Sequence, residues 1–238
     1  MIIDTPFADR RAAGAALARR LAAEELTTPV VLAMPRGGVA VGAEIARRLN
    51  APLDLVLVRK IGVPFQSELA AAAVVDGSEA ELVINEDVVA GLGLRREDIE
   101  AQAAQELKEI ERRRRVYLAD TPRVALAGRT VILVDDGIAT GASVRAALRA
   151  LKRQAPRQLI LAVPVAPAET IAALAQDVDR IVCLRMPEPF FSIGEHYLDF
   201  HQLEDAEVTA LLAGLPREDA DAPAPGDAND RRREPRGG

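Results

Sequence analysis

The sequence predicts an α/β domain in which a parallel sheet carries helices on both faces. Three observations lead there. Short apolar runs suited to buried strands alternate with helical stretches. The order strand, helix, strand recurs from Val30 to Leu184, as a parallel sheet requires. The length of 238 residues accommodates one domain with a sizeable core and would cramp two.

Each element has its own signal. Thr5 and Pro6 have the form of an N-cap followed by proline at the first helical position, so a helix is expected from there to about Glu25. Val30–Met34 reads as a buried strand, Val39–Leu49 as a helix and Leu53–Val58 as a second strand. Gly62 and Pro64 mark a loop reaching Leu69, and Leu69–Val75 and Glu81–Ile84 read as two more strands. Arg95–Leu118 is a long polar helix whose charges, Arg112 to Arg115 included, read as a solvated face. Thr130–Val134 is an apolar, β-branched strand, and Ala142–Gln154 is the helix after it. Leu159–Val163, Ala168–Ala175 and Arg180–Leu184 continue as strand, helix and strand, and a last helix covers about Asp205–Ala213. From Pro216 the composition turns to Asp, Ala, Pro, Gly and Arg without an apolar pattern, so 216–238 is expected to be a disordered tail.

Composition narrows the function. Thirty Lys and Arg face 36 Asp and Glu, a net charge of -6, which argues against sequence-independent binding to nucleic acid. Cys183 is the only cysteine, so no intrachain disulfide forms, in keeping with a reducing compartment. No apolar run reaches membrane length, and Asp4, Asp9 and Arg10 interrupt any signal-type apolar core. The expectation is a soluble, cytoplasmic protein with no membrane partner.

The chemistry concentrates in Val131-Ile132-Leu133-Val134-Asp135-Asp136-Gly137-Ile138-Ala139-Thr140-Gly141-Ala142-Ser143. An apolar strand ends in two carboxylates, at the edge where open α/β sheets place their ligands. Gly137 and Gly141 allow tight turns and close approach. The amides of Ala139 to Ser143, at a helix N-terminus and beside the hydroxyls of Thr140 and Ser143, form a nest suited to phosphate. The carboxylates suit two neighbouring hydroxyls instead, such as those of a ribose. No Gly-Lys-Ser/Thr follows, which excludes a Walker A loop, and Arg36-Gly37-Gly38-Val39-Ala40-Val41-Gly42 lacks the dinucleotide spacing.

The segment resembles the phosphoribosyl pyrophosphate (PRPP) motif of type I phosphoribosyltransferases: an apolar strand, two acids, two variable residues, a small residue, then Thr-Gly. Three other segments extend the resemblance. Met34-Pro35-Arg36-Gly37-Gly38 is similar to the family's pyrophosphate loop, which often carries a cis peptide. There Arg36 offers a planar fork of donors, and Gly37 and Gly38 let backbone amides reach the same group. Arg59-Lys60 resembles the basic pair that meets pyrophosphate, and the family's mobile lid starts just beyond it. Pro187 to Phe200 is comparable to the late segment that forms a hood in purine enzymes. Two readings of its aromatics stand: Phe190 or Phe191 stacks on a base, or the aromatics glue the hood to the domain. His196 reads as structural rather than catalytic. The resemblance covers about residues 6 to 213, and stand-alone bacterial phosphoribosyltransferase-domain proteins of poorly defined acceptor share the Pro-Arg-Gly-Gly, Arg-Lys-x-Gly and Phe-x-x-Gly-x-x-Tyr elements.

The resemblance implies a type I phosphoribosyltransferase fold over residues 1–215, with a small hood from about 186–204 together with the N-terminal region. It implies attack by a nitrogen acceptor, nucleobase or amine, on C1 of PRPP with loss of pyrophosphate. Asp135, Asp136, Gly137, Ile138, Ala139, Thr140, Gly141, Ala142 and Ser143 would bind PRPP. Arg36, Gly37, Gly38, Arg59 and Lys60 would meet pyrophosphate, with Lys60 and Arg36 as the catalytic cations. Mg2+ would be held mainly by PRPP and water, with no direct protein ligand. A homodimer is compatible with the family, and a non-catalytic PRPP or nucleotide sensor on the same fold is the alternative. One departure bears on the acceptor: Ala139 stands where 6-oxopurine enzymes place an aspartate, and no orotate-type Lys-x-His-Gly follows Arg59-Lys60.

Overall fold

Strands that are apolar on both faces need cover on both sides, and the order of elements supplies it. The computed structural model describes residues 5–63, 66–77, 80–119 and 121–216. Helix α1 (Arg10–Leu21), strand β1 (Val30–Ala33), helix α2 (Gly37–Leu49) and strand β2 (Leu53–Leu55) open the fold. Strands β3 (Val58–Val63), β4 (Gln66–Val75) and β5 (Glu81–Ile84) and helices α3 (Glu86–Leu92) and α4 (Arg96–Leu118) follow. The chain closes with β6 (Thr130–Val134), α5 (Ala142–Arg153), β7 (Gln158–Val165), α6 (Ala168–Leu174), β8 (Arg180–Arg185) and α7 (Asp205–Ala213).

Five strands form a parallel sheet in the order β2-β1-β6-β7-β8. Alternate side chains point to opposite faces. Val131, Leu133, Leu159 and Leu161 pack under Leu148 and Leu151 of α5. Ile132, Val134, Ile160 and Ala162 pack under Leu17 and Leu21 of α1 and Val41 and Ile45 of α2. The expected parallel sheet with helices on both faces is therefore the architecture found.

Beside it stands an antiparallel sheet, β3-β4-β5, which the sequence reading did not separate. The single strand expected over Leu53–Val58 divides. The chain leaves the parallel sheet after Leu55, and Val58 then pairs with Val75. The expected loop after Gly62 is mostly strand, because β3 runs to Val63 and β4 begins at Gln66, with a register shift around Gly62. A glycine inside a strand commonly marks such an irregularity. Pro64 and Phe65, part of the segment expected to begin a lid, lie outside the described residues, as does the expected tail from 217 onward.

Two helix expectations also change. The first helix begins at Arg10 rather than at Thr5-Pro6, because Asp9 is its N-cap and accepts from the Ala12 amide at 2.7 Å. Residues 7 and 8 instead pair with the late segment: Phe7 bridges Tyr197, and the amides of Leu198 and Asp199 donate to the carbonyls of Phe7 and Ala8. On α4 the solvated face holds for Arg112 and Arg115 but not for Arg114, which is buried. Its guanidinium lies 3.0 Å from Asp54 and 3.2 Å from Asp76, so a charge taken out of water is paired on both sides.

Candidate functional site

The two glycine loops meet because their strands are neighbours. In the β1–β6 pair Ala33 lies opposite Val134, and the Met34 amide donates to the Val134 carbonyl at 2.9 Å. Both strands therefore deliver their loops to the same edge of the sheet. The Pro35–Arg36 peptide is cis, and Gly37 opens α2 directly after it. A β-carbon on Gly37 would fall 1.9 Å from Asp136 Oδ2, and one on Gly38 would fall 2.7 Å from the Val134 carbonyl oxygen. Only glycine permits this contact between the loops.

The 137–141 turn is anchored from behind. The Ile138 amide donates to the Val165 carbonyl, and the Thr170 hydroxyl donates to the Ala139 carbonyl at 2.7 Å. Gly141 takes φ of 74° and caps α5, a left-handed conformation that disfavours a side chain. Ala139, Thr140 and Ala142 line the turn, with Thr140 and Ala142 turned outward and Ser143 half-buried. Among the described residues the backbone N–H groups of Ala139, Thr140 and Gly141 have no protein acceptor.

The two acids have different surroundings. Asp135 Oδ1 accepts from the Asp136 amide at 2.8 Å. Burial pushes the Asp135 carboxyl well above the usual carboxylate range, and the neighbouring Asp136 charge adds to the rise. Burial also raises Asp136, opposed by Arg10, whose Nε lies 2.7 Å from Asp136 Oδ2. Arg10 further donates to the His201 carbonyl and stacks on the Phe200 ring, 3.9 Å from its centroid. The Tyr197 hydroxyl donates to the Asp136 carbonyl at 2.5 Å.

The basic residues spread over a wider area. Arg59, on β3, pairs with Glu106 of α4 at 2.6 Å. Lys60 is exposed, and Arg36 Nη1 stands 3.9 Å from Asp205 of α7. A cavity of about 190 Å³ brings together Pro35, Arg59, Asp135 and Ser143, joined by Leu57 and Arg113. Neither Arg36 nor Lys60 lines it. A larger cavity of about 820 Å³ contains none of the motif residues, and its acids are committed, Asp54 and Asp76 to Arg114 and Arg123 and Glu81 to Arg153.

The aromatic segment divides. Phe190 stacks on His196 and joins a cluster with Phe7, Tyr197, Ile193 and Phe200. Phe191 projects outward, 74% exposed. Gly137 lies directly under Ile193, so the segment sits on the turn between the two acids and α5. Arg10 and Arg113 are site neighbours that the sequence does not single out, and Tyr197, the last residue of the Phe-x-x-Gly-x-x-Tyr element, gains a role that the sequence did not assign to it.

Among the described residues no three His, Cys, Asp or Glu side chains are grouped so as to hold a metal ion, and no helix is long and apolar enough to cross a membrane. Residues 9–199 match the phosphoribosyl transferase domain. The chain is 43% identical over 218 residues to a Mycobacterium tuberculosis protein named “Putative phosphoribosyl transferase”, present in strains CDC 1551 / Oshkosh and H37Rv. That match covers 92% of this chain and 49% of the relative, so the chain spans about half the length of these relatives. A crystal structure of the protein TT1426 from Thermus thermophilus superposes with a TM-score of 0.77 at 42% identity, covering 87% of this chain and 98% of that one.

Proposed function

We propose, from the premise that this chain belongs to the phosphoribosyl transferase domain family, that it transfers phosphoribose from magnesium PRPP to a nitrogen acceptor and releases pyrophosphate. The observation that carries the reading is the nest of unpartnered amides at Ala139, Thr140 and Gly141, one turn from Asp135 and the Pro35–Gly38 loop. Such amides at a helix N-terminus favour a phosphate. In this reading residues 137–143 hold the 5′-phosphate, and Asp135 accepts from the ribose hydroxyls. Asp136 is held by Arg10 and so orients the Gly37 loop as well as the ribose.

Leaving-group charge grows as the C1 bond breaks, and cations near it stabilise that change. Arg59 lines the cavity beside Asp135, Arg36 follows its lining residue Pro35 in the chain, and Lys60 follows Arg59 on β3 with its side chain exposed. Magnesium would arrive with PRPP, held mainly by its oxygens and water, and Asp135 is the carboxyl that lines the cavity where that complex would sit. That ion supplies charge neutralisation of the pyrophosphate. The hood, about 186–204 with the N-terminal region, offers Phe191 as the free ring for an acceptor base, while Phe190 serves the packing.

A second reading, a PRPP or nucleotide sensor without turnover, draws on Ala139, which gives an acceptor base no acid. Isotope-labelled PRPP with magnesium and a panel of bases and amines separates the two. Pyrophosphate release with one acceptor supports transfer. Tight PRPP binding without release under any acceptor replaces transfer with sensing, and no binding at all ends both.

A further inference from the structure

Helix α4 lies outside every motif, yet one of its faces looks onto the candidate site. Residues 106, 110, 113 and 117 recur at the spacing of a single helical face. Glu106 pairs with Arg59 at 2.6 Å. Ile110 is buried and lines the same cavity as Arg59, Asp135 and Ser143. Arg113 lines that cavity too. Tyr117 donates to Asp205 at 2.6 Å, and Asp205 is the acid nearest Arg36.

We infer that Arg113 is a further binding residue for the diphosphate part of the substrate, and that Glu106 and Glu109 hold Arg59 and Arg113 until that polyanion replaces them. The inference rests on the phosphoribosyl transfer reading above and adds to it a residue from α4. Two facts separate Arg113 from an ordinary surface arginine. Its neighbour Arg112 bonds the same Glu109 but is exposed and lines no part of the cavity. Arg113 uses Nε for Glu109 at 2.7 Å, and its two terminal nitrogens have no partner among the described residues. Those nitrogens form a planar fork, matched to adjacent phosphate oxygens. The cavity is thus lined by two arginines and one acid, Asp135. Such a lining favours an anion over a cation or an apolar group.

Each arginine at the site margin also has one acid from α4 or α7: Arg59 with Glu106, Arg113 with Glu109, Arg36 with Asp205. A carboxylate is the internal counterpart of a phosphate oxygen. A diphosphate that carries several charges satisfies two guanidiniums at once, which a single glutamate does not.

The test titrates magnesium diphosphate, and separately magnesium PRPP, into the full chain by calorimetry. Arg113→Ala should weaken both by about tenfold to a hundredfold, the size of one charge-assisted hydrogen bond. Arg112→Ala should change neither. Glu109→Gln should tighten diphosphate binding several-fold, because it frees Arg113. Arg113→Lys, which keeps charge but loses the fork, should fall between wild type and Arg113→Ala, and it covers the case in which the alanine variant folds poorly. Equal affinity in wild type and Arg113→Ala, or equal losses in Arg112→Ala and Arg113→Ala, overturns this inference and leaves the transfer reading standing. A wild type that binds neither ligand overturns the transfer reading, and the inference with it.

Discussion

Arg10 and Asp136 are 126 residues apart in sequence and form an ion pair 2.7 Å long, with side chains only 9% and 13% exposed. The pair joins the first turn of α1 to the second acid of the Asp-Asp motif. Through the His201 carbonyl and the Phe200 ring, Arg10 ties in the late aromatic segment as well. Three distant parts of the chain are thereby fixed relative to one carboxylate.

Removing one partner of such a pair leaves a charge without compensation, which costs about 3–5 kcal/mol when the site is well buried. Partial exposure places Arg10→Ala toward the lower end of that range, at about 3 kcal/mol in denaturant unfolding. The double variant Arg10→Ala/Asp136→Asn should recover much of that loss, because an amide needs no cation. Simple additivity of the two single changes would show that the residues do not depend on each other.

Asp135 gives a pH signature. Its carboxyl is raised by burial first and by the Asp136 charge second, so the folded, ligand-free protein holds a proton that the unfolded chain releases at about pH 4. Between that ordinary value and the raised one, the native state binds more protons than the unfolded state. Stability should therefore fall as pH rises through this window. Ribose hydroxyls and magnesium favour the carboxylate, so PRPP binding should expel protons and tighten with rising pH over the same range. Calorimetry in two buffers of different ionisation enthalpy measures the release. Asp135→Asn should flatten both trends, and identical profiles in wild type and variant would contradict this role.

The loop contact can be probed by three glycines. Gly37→Ala and Gly38→Ala place a methyl group 1.9 Å from Asp136 Oδ2 and 2.7 Å from the Val134 carbonyl oxygen. Each should destabilise by about 1–3 kcal/mol, in the range of overpacked sites. Gly62 has nothing within 4 Å of the same atom, so Gly62→Ala should be neutral or gain up to about 1 kcal/mol from reduced chain entropy. Melting temperatures that rank Gly62→Ala below the other two would refute the packing argument.

What the sequence disclosed depended on how local each signal is. Val131 to Ser143 carries its strand, acids, turn glycines and helix start within one stretch, and Arg36-Gly37-Gly38 does the same for its neighbour. Arg10 has no such context. Beside it Arg11 meets Glu44 in solvent, and only tertiary packing turns one arginine inward and the other out. In the run Arg112 to Arg115 the helical phase decides which residues face the fold. That phase is set by Ile110 and Tyr117 seating against β3, β4 and α7, so Arg113 and Arg114 are indistinguishable from their neighbours in a linear reading. The antiparallel pairing of β3 with β4 is hidden from a linear reading because Gly62 and Pro64 are residue types that signal loops.

Lys60 separates catalysis from sensing. It is exposed on β3 and has no ion-pair partner among the described residues, whereas Arg59 beside it is held by Glu106. A lysine free to move toward departing pyrophosphate matters most when charge develops there. If the protein is a transferase, Lys60→Ala should lower turnover on the order of a hundredfold, as loss of one charge partner in the transition state commonly does. PRPP affinity should fall much less, because the ground-state contacts proposed above lie in the 137–143 nest and at Arg59. The measurement does not need the acceptor in hand, since slow PRPP hydrolysis or isotope exchange at the anomeric carbon passes through the same build-up of charge. Equal losses in rate and affinity would place Lys60 in uniform substrate binding, and an unchanged rate would remove it from the site.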